Sequence, residues 1–270
     1  MTRIGICGAA GRMGKVILEV CKDTPDVSIG AAIEHSACPV LGLDAGENAG
    51  IGRLNVDITA DISAAAPDFD VMIDFTQADA AIKNVEICRQ AGKNMVIGTT
   101  GLDSGQQAII EEASGNIAIV FTPNMSIGVN LMFKLVELAA GIIGDSTDIE
   151  IIEAHHNQKK DAPSGTALRL GEIIAGVLDR ELADCAVYGR AGITGIRNPK
   201  TIGFETIRAG DIVGEHTVMF AAAGERVEIT HKASNRRTFA SGAVLAARWL
   251  SARKNGLYDM QDVLGLRSRN

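Results

Sequence analysis

The first 121 residues alternate short β-branched runs with longer stretches of helical periodicity, and this alternation limits the possible folds more than any other feature of the sequence. Strand-like runs occupy residues 3–7, 28–34, 71–75, 94–97 and 117–121, and helical patterns occupy residues 12–22, 78–91 and 104–114. A strand, a helix and a further strand in this order form the parallel crossover unit. The repeated pattern predicts a doubly wound α/β domain that binds ligands beyond the carboxyl ends of its strands.

The order of the predicted helices and strands changes after Pro123. A long helix comes first, followed by a strand at residues 148–155, a polar loop and a helix that opens near Ser164. Further strands are predicted at residues 201–208, 214–221 and 226–232, with a tight turn between the first two. This order predicts a second, α+β domain with a mainly antiparallel sheet.

The last segment, from Ala233 onward, has the pattern of a helix rich in small residues. Small residues let a helix approach a sheet closely, so we expect this helix to return to the first domain. The predicted first domain therefore comprises residues 1–126 and 234–270, and the predicted second domain comprises residues 127–233.

Charge and cysteine usage narrow the class of protein. The chain has 26 Lys and Arg residues against 33 Asp and Glu residues, a formal net charge of −7, which argues against nucleic acid or an anionic membrane surface as a partner. Five scattered cysteines without a Cys-x-x-Cys pair indicate a reducing, cytoplasmic compartment. The apolar stretch 127–143 is interrupted by Asn130, Lys134 and Glu137, which favours a buried amphipathic helix over a membrane span.

Three glycines follow the first strand. Gly8, Gly11 and Gly14 stand where the chain turns from strand to helix, and a turn without Cβ atoms lets the backbone approach a pyrophosphate at the helix N-terminus. Glu34 ends the second strand 20 residues beyond the third glycine, near the position of the carboxylate that binds an adenosine ribose. Together they predict a Rossmann-like dinucleotide-binding domain, with glycines that serve packing alone as the alternative.

The residue after that acid bears on the choice of cofactor. A 2′-phosphate would favour Arg beside the ribose, whereas His35 is largely uncharged at neutral pH, so we expect NADH to be at least as good a cofactor as NADPH. Two later loops are expected to border the nicotinamide, although each is equally consistent with an ordinary strand-to-helix turn. They contain Gly98, Thr99 and Thr100 in one case and Thr122, Pro123, Asn124 and Met125 in the other.

The segment 153–166 holds the densest polar chemistry, and it joins a strand to a helix. Ser164 is a plausible N-cap that leaves the amides of Gly165 and Thr166 aimed at a carboxylate. Lys159 is a candidate proton donor, and the adjacent histidines, His155 and His156, can share a site only if the strand ends or bends there. The alternative is a pair of ordinary structural histidines beside a solvated lysine pair.

A zinc site built from His155, His156 and Asp161 is disfavoured. The loop is rich in cationic lysine, and no cysteine ligand lies near it. We therefore expect no metal.

At this point the residues resemble a known family. The run Glu153-Ala-His-His-x-x-Lys-x-Asp-Ala-Pro-Ser-Gly-Thr166, together with Gly8-Ala-Ala-Gly-Arg-Met-Gly14, is similar to dihydrodipicolinate reductase of bacterial lysine and diaminopimelate biosynthesis. The resemblance spans essentially the whole chain. It implies a cytoplasmic homotetramer, assembled through the second domain, that uses NADH or NADPH to reduce a small cyclic dicarboxylate.

The resemblance also implies roles for individual residues. His155 and Lys159 match the family's catalytic histidine and proton-donating lysine, and His156, Gly165 and Thr166 match its substrate-carboxylate contacts. The positions that match cofactor contacts are Gly8, Ala9, Ala10, Gly11, Arg12, Met13, Glu34, Gly98, Thr99, Thr100, Thr122, Pro123, Asn124 and Met125. The chief departure is His35, where many members have Arg.

The implied reaction delivers a hydride to a conjugated cyclic imine and then protonates the neighbouring carbon, with Lys159 or His155 as the acid. Two rival functions remain. One is another two-domain dehydrogenase of the aspartate-semialdehyde or homoserine type, and the other is a regulatory protein that senses a dinucleotide without turning it over.

Overall fold

The structure is a computed structural model that describes residues 1–267. The chain forms two compact units, and each has its own hydrophobic core. Unit 1 comprises residues 1–127 and 236–270, and unit 2 comprises residues 128–235.

Unit 1 contains the alternating strands and helices that the sequence predicts. The strands of its N-terminal part are β1 (Thr2–Cys7), β2 (Val27–Ile33), β3 (Ile58–Thr59), β4 (Val71–Asp74), β5 (Asn94–Ile97) and β6 (Ala118–Phe121). The helices between them are α1 (Arg12–Asp23), α2 (Ala45–Ala49), α3 (Ile62–Ala65), α4 (Ala78–Gln90) and α5 (Ser104–Ser114). Helices α4 and α5 lie over the sheet through buried side chains such as Val85 and Ile110.

The sheet of unit 1 is parallel throughout its described pairings, and its first six strands stand in the order β6-β5-β4-β1-β2-β3. β1 pairs with β2 on one side and with β4 on the other, so the chain reverses direction across the sheet at this point. Such a reversal opens a crevice at the carboxyl ends of the central strands, where ligands of doubly wound sheets bind. The predicted Rossmann-like fold is confirmed.

Elements from unit 2 follow next along the chain. They are α6 (Ile127–Ile143), β7 (Asp148–His155), α7 (Gly165–Val177), α8 (Leu182–Cys185), β8 (Ala186–Tyr188), β9 (Ile202–Arg208), β10 (Gly214–Ala222) and β11 (Glu225–Ala233). The five strands form one sheet in the order β11-β10-β7-β9-β8. One face packs against α6 and α7 through residues such as Phe133, Leu170 and Val218.

This second sheet is mixed, although the sequence led us to expect a mainly antiparallel one. β10 is antiparallel to β11 and β7, whereas β9 is parallel to β7 and β8. The short connection between β9 and β10 predicts a hairpin, but β7 lies between these two strands. The reason is that α7 and α8 return the chain to the edge of the sheet, where β8 forms, and residues 189–201 then lead to β9, which lies between β8 and β7 and is parallel to both.

The segment Ile127–Ser146, which contains helix α6, is long and apolar enough to cross a membrane by length and composition alone. The polar residues within it had led us to expect otherwise. In the structure its inner face carries Val129, Phe133 and Val136, which are buried in the core of unit 2. Lys134 and Glu137 form an ion pair of 3.0 Å on the helix surface. A core helix can be equally long and apolar, so these two properties do not by themselves indicate a membrane span.

The C-terminal segment returns to unit 1, as the small residues predict. It forms α9 (Arg237–Leu250), β12 (Gly256–Tyr258) and α10 (Met260–Val263), and β12 extends the sheet by pairing with β6. The residues Ala240, Ala243 and Ala247 of α9 are fully buried in the core. A Cβ added to Gly242 would lie 1.7 Å from the carbonyl oxygen of Met125, so this contact requires glycine.

Replacing Gly242 with Ala is expected to lower the free energy of unfolding of unit 1 by about 2 to 3 kcal/mol, since the new methyl group overlaps a backbone oxygen. Urea denaturation followed by the fluorescence of Trp249, the single tryptophan, measures this change. Gly176→Ala on α7 is the matched control, because nothing lies within 4 Å of its added Cβ. Helix propensity should make that control neutral or about 1 kcal/mol more stable by circular dichroism, and an equal loss in both variants would contradict the packing argument.

Candidate active site

The glycine-rich turn of unit 1 lies between β1 and α1, as predicted. Gly8 has a φ of +71°, in the left-handed region that favours glycine. A Cβ added to Gly14 would lie 2.1 Å from the carbonyl oxygen of Gly8, so the first turn of α1 rests directly on the backbone of the loop. These two glycines give the turn its shape, and that shape brings the helix N-terminus to the edge of the sheet.

The N-terminus of α1 fits an anion. Gly11 is the N-cap, no side chain caps the first turn and no acidic residue lies in it. The unpaired amides and the positive end of the helix dipole are therefore open to a phosphate. The predicted cofactor residues Gly8, Ala9, Ala10, Gly11, Arg12 and Met13 form this turn and the start of the helix. The amides of Gly8, Ala9, Ala10 and Gly11 already donate within the protein, so the first turn of α1 is the part that suits the pyrophosphate of a dinucleotide.

Glu34 lies beside the same turn. Its Oε1 atom accepts a hydrogen bond of 2.9 Å from the amide of Ala10, and this contact ties the end of β2 to the glycine loop. His35 follows as an exposed residue. Glu34, His35 and Cys38 also have ligand atoms within 4.8 Å of one another, a spacing compatible with a metal ion. A carboxylate at this position can accept hydrogen bonds from the hydroxyl groups of a ribose.

A buried carboxylate that the sequence analysis missed supports the loop after β5. Asp74 is fully buried, and its carboxylate accepts hydrogen bonds from the Thr76 amide and hydroxyl, from Asn84 and, at 3.4 Å, from the hydroxyl of Thr99. Gly98 packs against the ring of Phe75, which an added Cβ would meet at 2.4 Å. Of the predicted residues, Thr99 is therefore tied to Asp74 and Gly98 packs against Phe75, while Thr100 is exposed.

The loop after β6 contains the other four predicted cofactor residues. Thr122 is buried, Asn124 accepts a hydrogen bond from the Ser126 amide at 2.9 Å, and Pro123 is exposed. The side chain of Met125 is buried in the core of unit 1 rather than at the surface of the loop. Any contact between Met125 and a ligand must therefore involve its backbone or a small part of its side chain.

The polar segment of unit 2 begins on β7, the central strand of its sheet. β7 ends at His155, so the condition that the strand stop between the two predicted histidines is met. His155 is largely buried, and its Nδ1 atom lies 2.5 Å from Oε2 of Glu153. Residues two apart on a strand share a face, which places these two side chains together.

Glu153 is 1% exposed and is surrounded by hydrogen-bond donors. Arg208 donates from both terminal nitrogens at 2.9 Å, and the Ser164 amide donates at 3.0 Å. The Thr206 hydroxyl donates at 3.4 Å. Burial raises the pKa of Glu153, but the hydrogen bonds from His155 and Arg208 outweigh this effect and hold the pKa at about 2. Glu153 is therefore ionised at neutral pH.

A third histidine, which the sequence analysis did not select, lies against His155. The rings of His216 and His155 meet edge to face with centroids 5.1 Å apart, and Nε2 of His216 lies 3.0 Å from the Ser164 hydroxyl. Burial lowers the pKa of His216 to about 3, with the charges of His155 and Lys159 contributing. His216 is therefore neutral at physiological pH, and its ring packs against the ring of His155.

The predicted Lys159 lies on the loop that follows β7. Its ammonium group pairs with the Asp161 carboxylate at 2.9 Å, and the backbone carbonyl of Asp161 accepts a hydrogen bond of 2.6 Å from Arg208. Burial raises the pKa of Asp161, but the hydrogen bond from Lys159 reverses this effect and lowers the pKa overall. The Nδ1 atom of His156 accepts a hydrogen bond of 3.2 Å from the Gln158 amide, which leaves its Nε2–H free to donate.

The start of helix α7 is the predicted binding site for a carboxylate group of a ligand. Ser164 is its N-cap, and the hydroxyl accepts a hydrogen bond of 3.2 Å from the Ala167 amide. No acidic residue lies in the first turn, and nothing lies within 4 Å of a Cβ added to Gly165. Thr166 is 9% exposed. A helix start with no acidic side chain in its first turn, and with space beside Gly165, suits an anionic ligand.

The sequence contained a signal for only some of the residues that we missed. Glu153 stands two positions before His155 on a predicted strand, so shared strand faces could have revealed it. Arg208 and His216 gave no comparable signal. They reach the site because β9 and β10 flank β7, with Arg208 opposite His155 and His216 opposite Glu153 in the register.

Comparison with known proteins places both units in one family. A family model described as the N-terminus of dihydrodipicolinate reductase matches residues 2–125, and a model of the C-terminus of the same enzyme matches residues 128–264. The 4-hydroxy-tetrahydrodipicolinate reductase of Hahella chejuensis is 58% identical over 267 residues, which cover 99% of this chain and 100% of that protein.

Solved structures show the same fold at lower identity. A dipicolinate-bound dihydrodipicolinate reductase from a Paenisporosarcina species superposes with a TM-score of 0.72 at 23% identity, covering 97% of this chain and 98% of that one. An amine dehydrogenase from Mycobacterium smegmatis gives a TM-score of 0.60 at 13% identity, covering 99% and 97% of the two chains. With family models matching both units and a close relative matching almost every residue, the chain belongs to the dihydrodipicolinate reductase family.

Proposed function

We propose that this protein is a 4-hydroxy-tetrahydrodipicolinate reductase, which uses a nicotinamide cofactor to form tetrahydrodipicolinate in lysine and diaminopimelate biosynthesis. The single observation that carries the proposal is the 58% identity over almost the whole chain to a relative of that name. The structure adds support, because the glycine turn of unit 1 suits a dinucleotide and the start of α7 in unit 2 suits a carboxylate.

His155 and Lys159 are proposed to serve the protonation step. A reduced nicotinamide, when bound, supplies the hydride. The substrate first loses its 4-hydroxyl group as water, which gives the conjugated cyclic imine that accepts the hydride. The enamine-like product of hydride addition must then gain a proton at the adjacent carbon, and this step needs a positioned acid. Lys159 carries three donor hydrogens on a loop that Arg208 fixes through Asp161. His155 presents its Nε2 edge while Glu153 holds the opposite nitrogen.

The substrate carboxylates are proposed to bind at the start of α7. The amides of Gly165 and Thr166 open that helix, and the Thr166 hydroxyl and the Nε2–H of His156 are further donors. Each charge-assisted hydrogen bond contributes about 1.5 to 3 kcal/mol. These residues are therefore assigned to binding, whereas His155 and Lys159 are assigned to chemistry.

Lys159→Ala and His155→Ala are each expected to reduce kcat by about 10² to 10⁴, the range for loss of a positioned acid. The measurement is oxidation of NADH at saturating substrate, which the preceding synthase supplies in a coupled assay. Lys160→Ala is the matched control, because Lys160 is the exposed neighbour of Lys159, and its kcat should stay near that of the wild type. Losses of only a few-fold in both acid variants would sink the catalytic assignment.

The same assay separates the proposal from its rivals. A protein that only senses a dinucleotide would bind NADH without steady-state oxidation. A dehydrogenase of the aspartate-semialdehyde type would need a cysteine nucleophile, but Cys185, which is the cysteine that lies in unit 2, is buried in the core of that unit.

NADH is proposed to be at least as good a cofactor as NADPH, because His35 follows Glu34, the residue proposed to bind the ribose. In the wild type, kcat/KM for NADH should equal or exceed the value for NADPH. His35→Arg should raise kcat/KM for NADPH roughly tenfold or more, since a guanidinium can pair with the 2′-phosphate. The value for NADH in the same variant is the internal control, and a large preference of the wild type for NADPH would contradict the proposal.

The protein is further proposed to be a cytoplasmic homotetramer assembled through unit 2. The face of its sheet opposite α6 and α7 supports this arrangement, since Thr217 and Met219 of β10 are half-buried and Ile207 of β9 is 47% exposed. Two such faces can pack on one another.

Light scattering is expected to give the mass of four chains for the wild type. Met219→Glu should lower that mass, because it places a charge in the packed face. Leu138→Glu is the control on α6, where the side chain is 60% exposed on the other side of the unit, and should leave the mass unchanged. A monomeric wild type would overturn this assembly.

A further inference from the structure

We propose that Glu153 is a positioning residue that fixes the tautomer and orientation of the His155 ring, and that Arg208 holds the carboxylate in the correct rotation for this task. The inference deepens the proposed function and rests on it only for the role of His155. The contact between the two side chains does not depend on the proposed function, because the structure shows Oε2 of Glu153 2.5 Å from Nδ1 of His155.

The two oxygens of Glu153 have different partners. Oε1 accepts from Nη2 of Arg208 at 2.9 Å, from the Ser164 amide at 3.0 Å and from the Thr206 hydroxyl at 3.4 Å. Oε2 accepts from Nη1 of Arg208 at 2.9 Å and from Nδ1 of His155. A carboxylate only accepts hydrogen bonds, so Nδ1 must carry a proton and Nε2 is the edge left to face a ligand.

The ring is held on its other sides as well. A Cβ added to Gly214 would lie 3.1 Å from Nε2 of His155, so the backbone of β10 passes close to that edge of the ring. The edge-to-face contact with buried His216 restricts rotation of the His155 ring. Glu153 supplies the remaining constraint, and it is the one that distinguishes the two ring nitrogens.

The asymmetry of the donors predicts what an isosteric amide would do. In Glu153→Gln, the amide oxygen is favoured at the Oε1 position, where three donors converge. The amide nitrogen then takes the Oε2 position, where it can no longer accept from Nη1 of Arg208 and instead donates to Nδ1 of His155. This donation moves the imidazole proton to Nε2. An acid at Nε2 requires that Nδ1 keep its own proton when the Nε2 proton is given up. In the reversed tautomer Nδ1 carries no proton, so donation from Nε2 would leave an imidazolate, and the ring stays in place without serving as the acid; the equivalent change in the serine protease triad also leaves the geometry intact with the wrong tautomer.

The test is a two-bond proton–nitrogen correlation NMR spectrum of protein labelled with ¹⁵N-histidine, recorded where the His155 ring is neutral. A His155→Asn sample assigns its signals among the five histidines of the chain. The wild type should show a protonated, pyrrole-type Nδ1, and Glu153→Gln should show a pyridine-type Nδ1. Retention of the protonated Nδ1 in the variant would overturn the proposal.

Glu150→Gln is the matched control. Glu150 lies on the same strand and is paired with two arginines, since Arg190 donates to both its oxygens at 2.9 Å and Arg197 donates at 3.0 Å, but it contacts no histidine. The control should keep the wild-type tautomer. If Glu153→Gln fails to fold, the wild-type spectrum still tests the proposal. A pyridine-type Nδ1 of His155 in that spectrum would exclude the proposed hydrogen bond to Glu153.

Kinetics give a second readout. Glu153→Gln should lower kcat at least 100-fold and leave the Kd for NADH unchanged, whereas Glu150→Gln should leave both near the wild-type values. Wild-type protein without reductase activity would refute the proposed function, yet the NMR spectra would still test the positioning role. A reversed tautomer with unchanged kcat would confirm that Glu153 sets the tautomer of His155, and would overturn the assignment of His155 as the acid.

Discussion

A carboxylate that is withdrawn from water must be met by donors on every side, and this requirement organises unit 2 around Glu153. Its partners come from the neighbouring strand β9, from the N-cap of α7 and from the end of its own strand. Arg208 also holds the loop that carries Lys159, through the carbonyl of Asp161. One buried charge thus links the candidate acid, the candidate lysine and the start of the carboxylate-binding helix.

The same arrangement fixes the relative positions of the charged side chains through hydrogen bonds and ion pairs. Breaking such a pair by removing one partner is far more costly than the pair is stabilising, because the other charge is left buried. The network therefore imposes a geometry more than it adds stability. A proton donor and a carboxylate site need that accuracy of placement, since small displacements in a reacting pair lower the rate steeply.

Unit 1 relies on a different constraint, which is close approach of backbone to backbone. Gly14 lets α1 rest on the carbonyl of Gly8, and Gly242 lets α9 rest on the carbonyl of Met125. Neither contact involves a charged group, and both bring a helix near a loop at the carboxyl edge of the sheet. Unit 1 therefore presents amides and unit 2 presents charged and polar side chains, which matches a dinucleotide in one case and a small dicarboxylate in the other.

Much of this could be predicted from the sequence. Alternating strands and helices determined the parallel sheet of unit 1, because the periods of 2 and 3.6 are local properties of the chain. The glycine spacing and the position of Glu34 determined the dinucleotide turn for a similar reason, since all of these residues lie within one crossover unit. The segment 153–166 identified its two histidines and its lysine, and the end of β7 at His155 allows both rings to lie at one site.

Only the tertiary structure decided how unit 2 completes that site. Arg208 stands 55 residues from Glu153, and His216 stands 52 residues from Ser164, so no local pattern connects them. Their meeting depends on the insertion of β7 between β9 and β10, the feature for which the expected hairpin was wrong. Strand order is set by how a whole sheet buries its apolar face under α6 and α7, and that is a property of the assembled core rather than of any segment.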